Sequence, residues 1–243
     1  MPRNKIAPPD ALDVISDLKF DLEKVAAVHD LCSSSAENPD SSKKGTFDAE
    51  IRDLLEVLNR IPHFVSTSSC SGRVILFSQE GSGKGACRWH FVRHQNDFTE
   101  DSLVDCLRDF AEPAKLAENV DAVLKFEPFI LHVRCRTLAD AQILHALSVQ
   151  AGFRNSGITI RRKGKEGFAI HVAVRCTLHF EMPVTLGGEL IVSPASFLKL
   201  AAELRGKMDR NAALILRFFD ALKVKFRSDG DGNADAIQAD GDL

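Results

Sequence analysis

The layout of this chain turns on Val123-Leu-Lys-Phe-Glu-Pro-Phe-Ile-Leu-His-Val-Arg-Cys135. Its β-branched and aromatic residues mark it as strand, and apolar side chains alternate with polar ones. Proline cannot donate to a ladder, so Glu127-Pro128 is expected to separate one strand, Val123 to Phe126, from another, Phe129 to Cys135, at an edge, a bulge or a bend. A carboxylate at Glu127 is costly to bury unpaired. It therefore calls for a partner such as Arg73 or a ligand amine.

Upstream, Phe64-Val65 reads as a short strand that enters Thr67-Ser-Ser-Cys-Ser-Gly-Arg73. Val74 to Phe77 and Trp89 to Val92 form a hairpin around Gly81-Ser-Gly-Lys-Gly85. That glycine loop lacks phosphate-loop spacing and opens no helix, so a plain turn is expected. A helix over about Glu100 to Phe110 follows. Further upstream, Ile51, Leu54, Leu55 and Leu58 form the stripe of a helix capped by Thr46 and ended by Pro62. A first helix carries Leu12, Ile15, Leu18, Leu22 and Val25, and the polar stretch Cys32 to Lys44 reads as a linker.

Downstream, Thr137 with Asp140 has capping-box spacing, and Gly152 suits a left-handed helix end. Ile158 to Arg162 and Phe168 to Arg175 form a second hairpin around Lys163-Gly-Lys-Glu-Gly167. Glu181 to Val184 and Glu189 to Val192 follow, separated by Gly187-Gly188. Ser193-Pro194 opens a long helix to about Phe226. The Asp/Gly tail is expected to be disordered. Ser71-Gly72 and Ser156-Gly157 each open a hairpin, which suggests two related units in one mixed sheet. The expectation is an α+β fold: helices pack on that sheet, and the chain divides into an extension (1–43), a main domain (44–227) and an acidic tail (228–243).

With 243 residues and 44% hydrophobic residues the chain can bury one sizeable core. The net charge of -3 hides a segregation: residues 125–176 hold 9 Lys and Arg against 3 Asp and Glu. That suits a positive face toward a polyanion, or simply an uneven solvated surface. Six cysteines without a CxxC pair read as reduced thiols, not as a disulfide frame or zinc site. No apolar run approaches the ~20 residues that cross a bilayer. The expected location is the cytoplasm, with a nuclear address left open.

Thr67 to Arg73 brings small residues, hydroxyls and a guanidinium together. They suit a ligand close to the backbone or a polar turn in equal measure. Cys70 reads as a nucleophile or, with no base in view, as a buried thiol. His132 reads as a satisfied core residue or a proton acceptor. Arg154, Arg161, Arg162, Lys163 and Lys165 are placed to meet nucleic-acid phosphates. With no tyrosine, base stacking falls to Phe, His or Trp89.

Four segments resemble the tRNA wybutosine-synthesising protein 3 family: Thr67 to Arg73, Leu124 to Val133, Asp140-Ala-Gln-Ile-Leu-His145 and Gly152-Phe-Arg-Asn-Ser-Gly-Ile158. Lys44-Gly45 with Asp48, the Trp89 to His94 spacing and Glu181-Met-Pro183 match as well. The resemblance implies an S-adenosyl-L-methionine-dependent methyltransferase. It would methylate a ring nitrogen, N-4, of the tricyclic guanosine at position 37 of phenylalanine tRNA, without a metal. It also implies contact with the anticodon arm and with other enzymes of the pathway. Carried over residue by residue, it implicates Ser68, Ser69, Gly72, Arg73, Ser156 and Gly157 at the cofactor. His132 would be the base, and Glu127 would bind the cofactor amine or help orient His132. The chain lacks the glycine-rich loop of doubly wound Rossmann methyltransferases, so a separate α+β cofactor site is expected. Two rivals stay open: a tRNA-binding protein without activity, and a transferase that uses Cys70 as nucleophile.

Overall fold

The computed structural model describes residues 17–33, 48–79, 87–95, 97–112, 121–162 and 168–227. Two long strands form its spine, β1 (Phe64–Gln79) and β3 (Ala122–Cys135). They pair antiparallel from Phe64↔Cys135 to Ser78↔Ala122. Each was expected as two pieces and each runs through. Thr67 to Arg73 is thus mid-strand and not a segment between strands, because the backbone on both sides keeps its β3 partners and Ser and Thr fit an extended chain.

β2 (Cys87–His94) flanks β1 along Arg73 to Gln79. On the far side, β5 (Phe168–Val174) pairs with the Leu131–Cys135 end of β3, and β4 (Gly157–Arg162) pairs with β5. β6 (Phe180–Leu186) takes the Ala122–Phe126 end, and β7 (Glu189–Leu190) folds back on it. Every pairing among the described residues is antiparallel, where a mixed sheet was expected. The physical reason is that the hairpin connections and the helical excursions all return the chain in the opposite direction. The expected α+β class stands. Both expected hairpins form, as β1–β2 and β4–β5; their turns, Gly81 to Gly85 and Lys163 to Gly167, lie outside the described residues, as does the tail.

The spine is kinked midway. On β3 the core-facing residues are Ala122, Leu124 and Phe126, then Phe129, Leu131 and Val133. The alternation slips by one at Pro128. Opposite Pro128 sits Gly72 at φ +107°, a conformation that L side chains rarely adopt. The slip occurs in both strands together, so the register is kept while the faces exchange. Proline is tolerated here because neither β5 nor β6 pairs with residues 127–130, so no ladder on that side depends on its absent N–H.

Each side of the kink has its own core. One gathers Phe64, Phe129, Leu131, Val133 and Phe153 with Leu54, Leu55 and Leu58 of α2 (Arg52–Arg60) and Leu144 of α4 (Leu138–Ala151). The other gathers Val74, Leu76, Leu124 and Phe126 with Leu103, Leu107 and Phe110 of α3 (Glu100–Phe110). The helix α5 (Phe197–Arg227), 31 residues and roughly 46 Å long, spans both. Phe197, Leu204 and Met208 enter the second core, and Phe218 and Leu222 the first. Between them, buried Asn211 reaches the kink: its Nδ2 donates to Ser71 O at 2.7 Å, and Phe129 N donates to its Oδ1 at 2.8 Å.

Local signals were legible. Thr137 and Asp140 form the expected capping box, and Gly152 takes φ +108° at the helix end. Thr99 and Ser102 form a second box that the sequence reading missed. Thr46 lies outside the described residues. The chain turns instead at Asp48 into a 3-10 turn, Ala49–Ile51, ahead of α2, and Ser193-Pro194 likewise leads through a 3-10 turn, Pro194–Ser196, into α5.

The first helix, α1 (Asp17–Ser33), runs into the expected linker, and its buried face differs from the expected stripe. Leu12, Ile15 and most of the linker lie outside the described residues. Leu22 and Val25 are exposed, whereas Phe20 is fully buried against Val65. Arg136 lies 4.5 Å from the Phe20 ring and pairs with Asp21, while Arg134 pairs with Glu23. Lys24 Nζ donates to Ile61 O at 2.5 Å and Phe64 O at 2.9 Å; burial, with help from Arg136, pushes its pKa down to about 8. Phe20→Ala is expected to release α1 without unfolding the sheet, since the other anchors are polar and partly hydrated. Hydrogen exchange would show it as fast exchange confined to residues 17–33; unchanged protection there would mean that the polar anchors alone hold the helix.

Candidate active site

β5 and β6 share one edge of β3, but neither reaches residues 127–130. The segment between them, Arg175 to His179, swings aside at the level of the kink. The result is a groove of about 420 Å³, lined by Ser68, Ser69, Cys70, Arg73, Lys125, Glu127, Phe129, Ile130, His132, Arg175, Cys176 and His179. Its size is that of a small-molecule site.

Two polar pairs sit at opposite ends. At one, Ser68 Oγ lies 2.9 Å from His132 Nδ1, and Ser68 faces His132 directly in the β1–β3 register. Burial, helped by the positive charge of Arg175, lowers the His132 pKa below its usual value. The imidazole is thus neutral at physiological pH and able to accept a proton. At the other end, Arg73 Nε donates to Glu127 Oε2 at 2.8 Å, and Lys125 Nζ lies 3.5 Å from Glu127 Oε1. Burial alone would raise the Glu127 carboxyl. The Arg73 hydrogen bond and charge, with Lys125, outweigh it and hold the group below the usual carboxylate range. The partner expected for Glu127 is therefore Arg73. His132, by contrast, is oriented by Ser68 and not by Glu127.

Of the residues singled out for the cofactor, Ser68, Ser69 and Arg73 line the groove. Gly72 lies behind it at the kink, where an added Cβ would stand 2.8 Å from Asn211 Nδ2 and 3.2 Å from Glu127 O and Phe129 N. Ser156 Oγ donates to Phe153 O at 2.7 Å and accepts from Arg175 N at 3.1 Å. That hydroxyl thus fixes the strand end carrying Arg175. Gly157 pairs with Ala173, which pairs with His132, so the row Ser68–His132–Ala173–Gly157 crosses four strands. Among the described residues, its chain neighbours aside, nothing stands within 4 Å of where a Gly157 Cβ would be. Arg154, Arg161 and Arg162 are exposed at the β4 edge of the sheet; Lys163 and Lys165 lie outside the described residues.

The sequence reading missed Lys125, Arg175, Cys176 and His179, which join the groove through sheet topology and carry no local motif. Burial raises the Cys176 thiol pKa. Half-exposed Trp89 leans on Phe77 at 5.6 Å, with the Arg73 guanidinium 5.5 Å from its ring.

An antiparallel sheet with a groove where β5 and β6 part along β3, and no strand-to-helix phosphate loop among the described residues, defines an α+β protein outside the doubly wound nucleotide-binding class. Solved structures share this fold. PH1069 protein from Pyrococcus horikoshii has a TM-score of 0.66 at 22% identity, covering 85% of this chain and 97% of that one. A hypothetical protein from Aeropyrum pernix has a TM-score of 0.56 at 21% identity, covering 73% and 98%. The chain belongs to the family described as Methyltransferase TYW3, whose model matches residues 23–224. It is 40% identical over 205 residues to the tRNA wybutosine-synthesizing protein 3 homolog of Xenopus laevis, covering 83% of this chain and 76% of that protein. The human protein of the same name is 39% identical over 196 residues, covering 79% and 70%. Against the tRNA wybutosine-synthesizing protein 2/3/4 of Oryza sativa the identity is 35%, over 86% of this chain and 20% of that protein. No helix of the described residues is long and apolar enough to cross a membrane.

Proposed function

We propose that the groove binds S-adenosyl-L-methionine and the tricyclic guanosine at position 37 of phenylalanine tRNA, and that the protein methylates N-4 of that base. The observation that carries this reading is the convergence of Ser68, Ser69, Arg73, Glu127 and His132, from two strands, on one groove in a chain of this methyltransferase family.

The Arg73–Glu127 pair matches an amino-acid zwitterion, guanidinium to carboxylate and carboxylate to ammonium. When bound, the cofactor supplies an activated methyl group. The protein's task is then alignment and removal of one proton. His132, held by Ser68 and kept neutral, takes that proton. Phe129, Ile130 and the wall segment Arg175 to His179 exclude water on either side. Arg154, Arg161 and Arg162, with Lys163 and Lys165, hold the phosphates of the anticodon arm. Residues 44–227 form the catalytic unit, with 1–43 as an extension and 228–243 as an acidic tail. The work is done in the cytoplasm, beside the enzymes that build the tricyclic base.

Methyl transfer from labelled S-adenosyl-L-methionine to phenylalanine tRNA from cells lacking this protein tests the reading. Incorporation at the nucleotide beside the anticodon is the expected result, with none into fully modified tRNA. Tight tRNA binding without incorporation would move the assignment to a binding protein on the same fold.

A further inference from the structure

Next to the groove, where β2 ends and the Gly72 side of β1 loses its neighbour, three residues from distant regions of the chain meet. Asp48 comes from the turn ahead of α2, Cys70 from β1 and His94 from the last position of β2. Each offers one donor atom, and the three lie within 4.8 Å of one another. Asp48 and Cys70 are more than nine-tenths buried, and the His94 side chain is 23% exposed.

The contacts within the cluster do not read as a hydrogen-bonded network. His94 Nε2 is buried and has no hydrogen-bond partner among the described residues, although Asp48 Oδ1 stands 3.4 Å away. A nitrogen and an oxygen each bound at ~2.0–2.2 Å to one tetrahedral ion would be about 3.4 Å apart. The separation is thus that of two ligands on a shared ion. Asp48's other oxygen, Oδ2, accepts from Ser71 N at 2.6 Å, the kind of outer bond that orients a ligating carboxylate. One carboxylate and one thiolate would balance a divalent charge.

We propose that Asp48, Cys70 and His94 bind one borderline-soft divalent cation of the zinc type. Imidazole, thiolate and carboxylate together favour such an ion over magnesium or calcium, which take oxygen ligands. Three protein ligands leave a fourth position open, and Cys70 lies in the groove wall. The ion pins the end of β2 and the chain entering α2 to the strand that carries Ser68 and Arg73. The site escaped the sequence reading because no CxxC or HxxxH spacing announces ligands brought together by sheet pairing.

The test uses the full chain, freed of metal by a chelator and titrated with Zn2+ by calorimetry and with Co2+ by absorbance. One equivalent is expected to bind, with a thiolate-to-cobalt charge-transfer band. Asp48→Asn, Cys70→Ser and His94→Gln should each weaken binding at least about tenfold, and Cys70→Ser should abolish the band. Circular dichroism of each variant separates lost ligation from lost folding, and His94→Gln leaves the buried thiol in place should Cys70→Ser fail to fold. No saturable binding by the parent chain, or equal binding by a folded His94→Gln variant, would overturn the proposal. The readout needs no tRNA, so it stands or falls apart from the methyl-transfer assay.

Discussion

Asn211→Ala should lower the free energy of unfolding by about 2–6 kcal/mol, because it strands two buried backbone groups at about 1–3 kcal/mol each. Those groups are Ser71 O and Phe129 N, both satisfied by the same side chain at the kink. Gly72→Ala should do comparable damage by a different route. Its φ of +107° disfavours any side chain, and the new Cβ would press on Asn211 and on two backbone atoms that cannot retreat. Urea unfolding followed by circular dichroism measures both. A loss below about 1 kcal/mol for Asn211→Ala would mean that the kink is held by the flanking ladders and not by the helix. Because the kink shapes the groove floor, both variants should also weaken ligand binding before they unfold.

His132→Ala should slow methyl transfer about 10²–10⁴-fold, the usual contribution of a positioned base, while the affinity for the methyl donor stays unchanged. The sign of the pH dependence follows from the lowered pKa. An imidazole pushed below its ordinary value is already neutral at pH 7, so kcat/KM should hold through neutrality and fall only as the pH drops through that lowered value. Burial is the larger cause and the charge of Arg175 the second. Arg175→Gln should therefore move the acid limb toward higher pH. Normal turnover by His132→Ala would remove the base assignment, and an acid limb unmoved by Arg175→Gln would remove the electrostatic account of it.

Much of this was legible in the sequence, and the boundary between what was legible and what was not is physical. Caps and helix ends are local chemistry: Thr137 with Asp140, and Gly152, declared themselves by residue type. The hairpins declared themselves by alternation around glycine-rich turns. What failed was continuity. Pro128 read as a strand break, and Ser71-Gly72 as the opening of a hairpin. Placed opposite one another, they become a shared kink within two unbroken strands. That pairing is a long-range fact which no window of sequence contains.

The same distinction separates the site residues. Ser68, Arg73, Glu127 and His132 stand in polar positions on β-rich segments and could be named. Arg175 and His179 could not, because they acquire meaning only when β5 and β6 diverge along β3. In α1 the helical spacing misplaced Leu22 and Val25, which are exposed; among the described side chains of that helix the buried ring is Phe20.

The long helix α5 has a mechanical consequence. It is bolted to one core through Phe197, Leu204 and Met208, and to the other through Phe218 and Leu222, with Asn211 clamped to the sheet between them. The arrangement is a beam with its fulcrum directly behind the groove. Tilting one half of the sheet against the other would load the beam or its packing, so a change that stiffens α5 on its outer face should resist any spreading of the cleft.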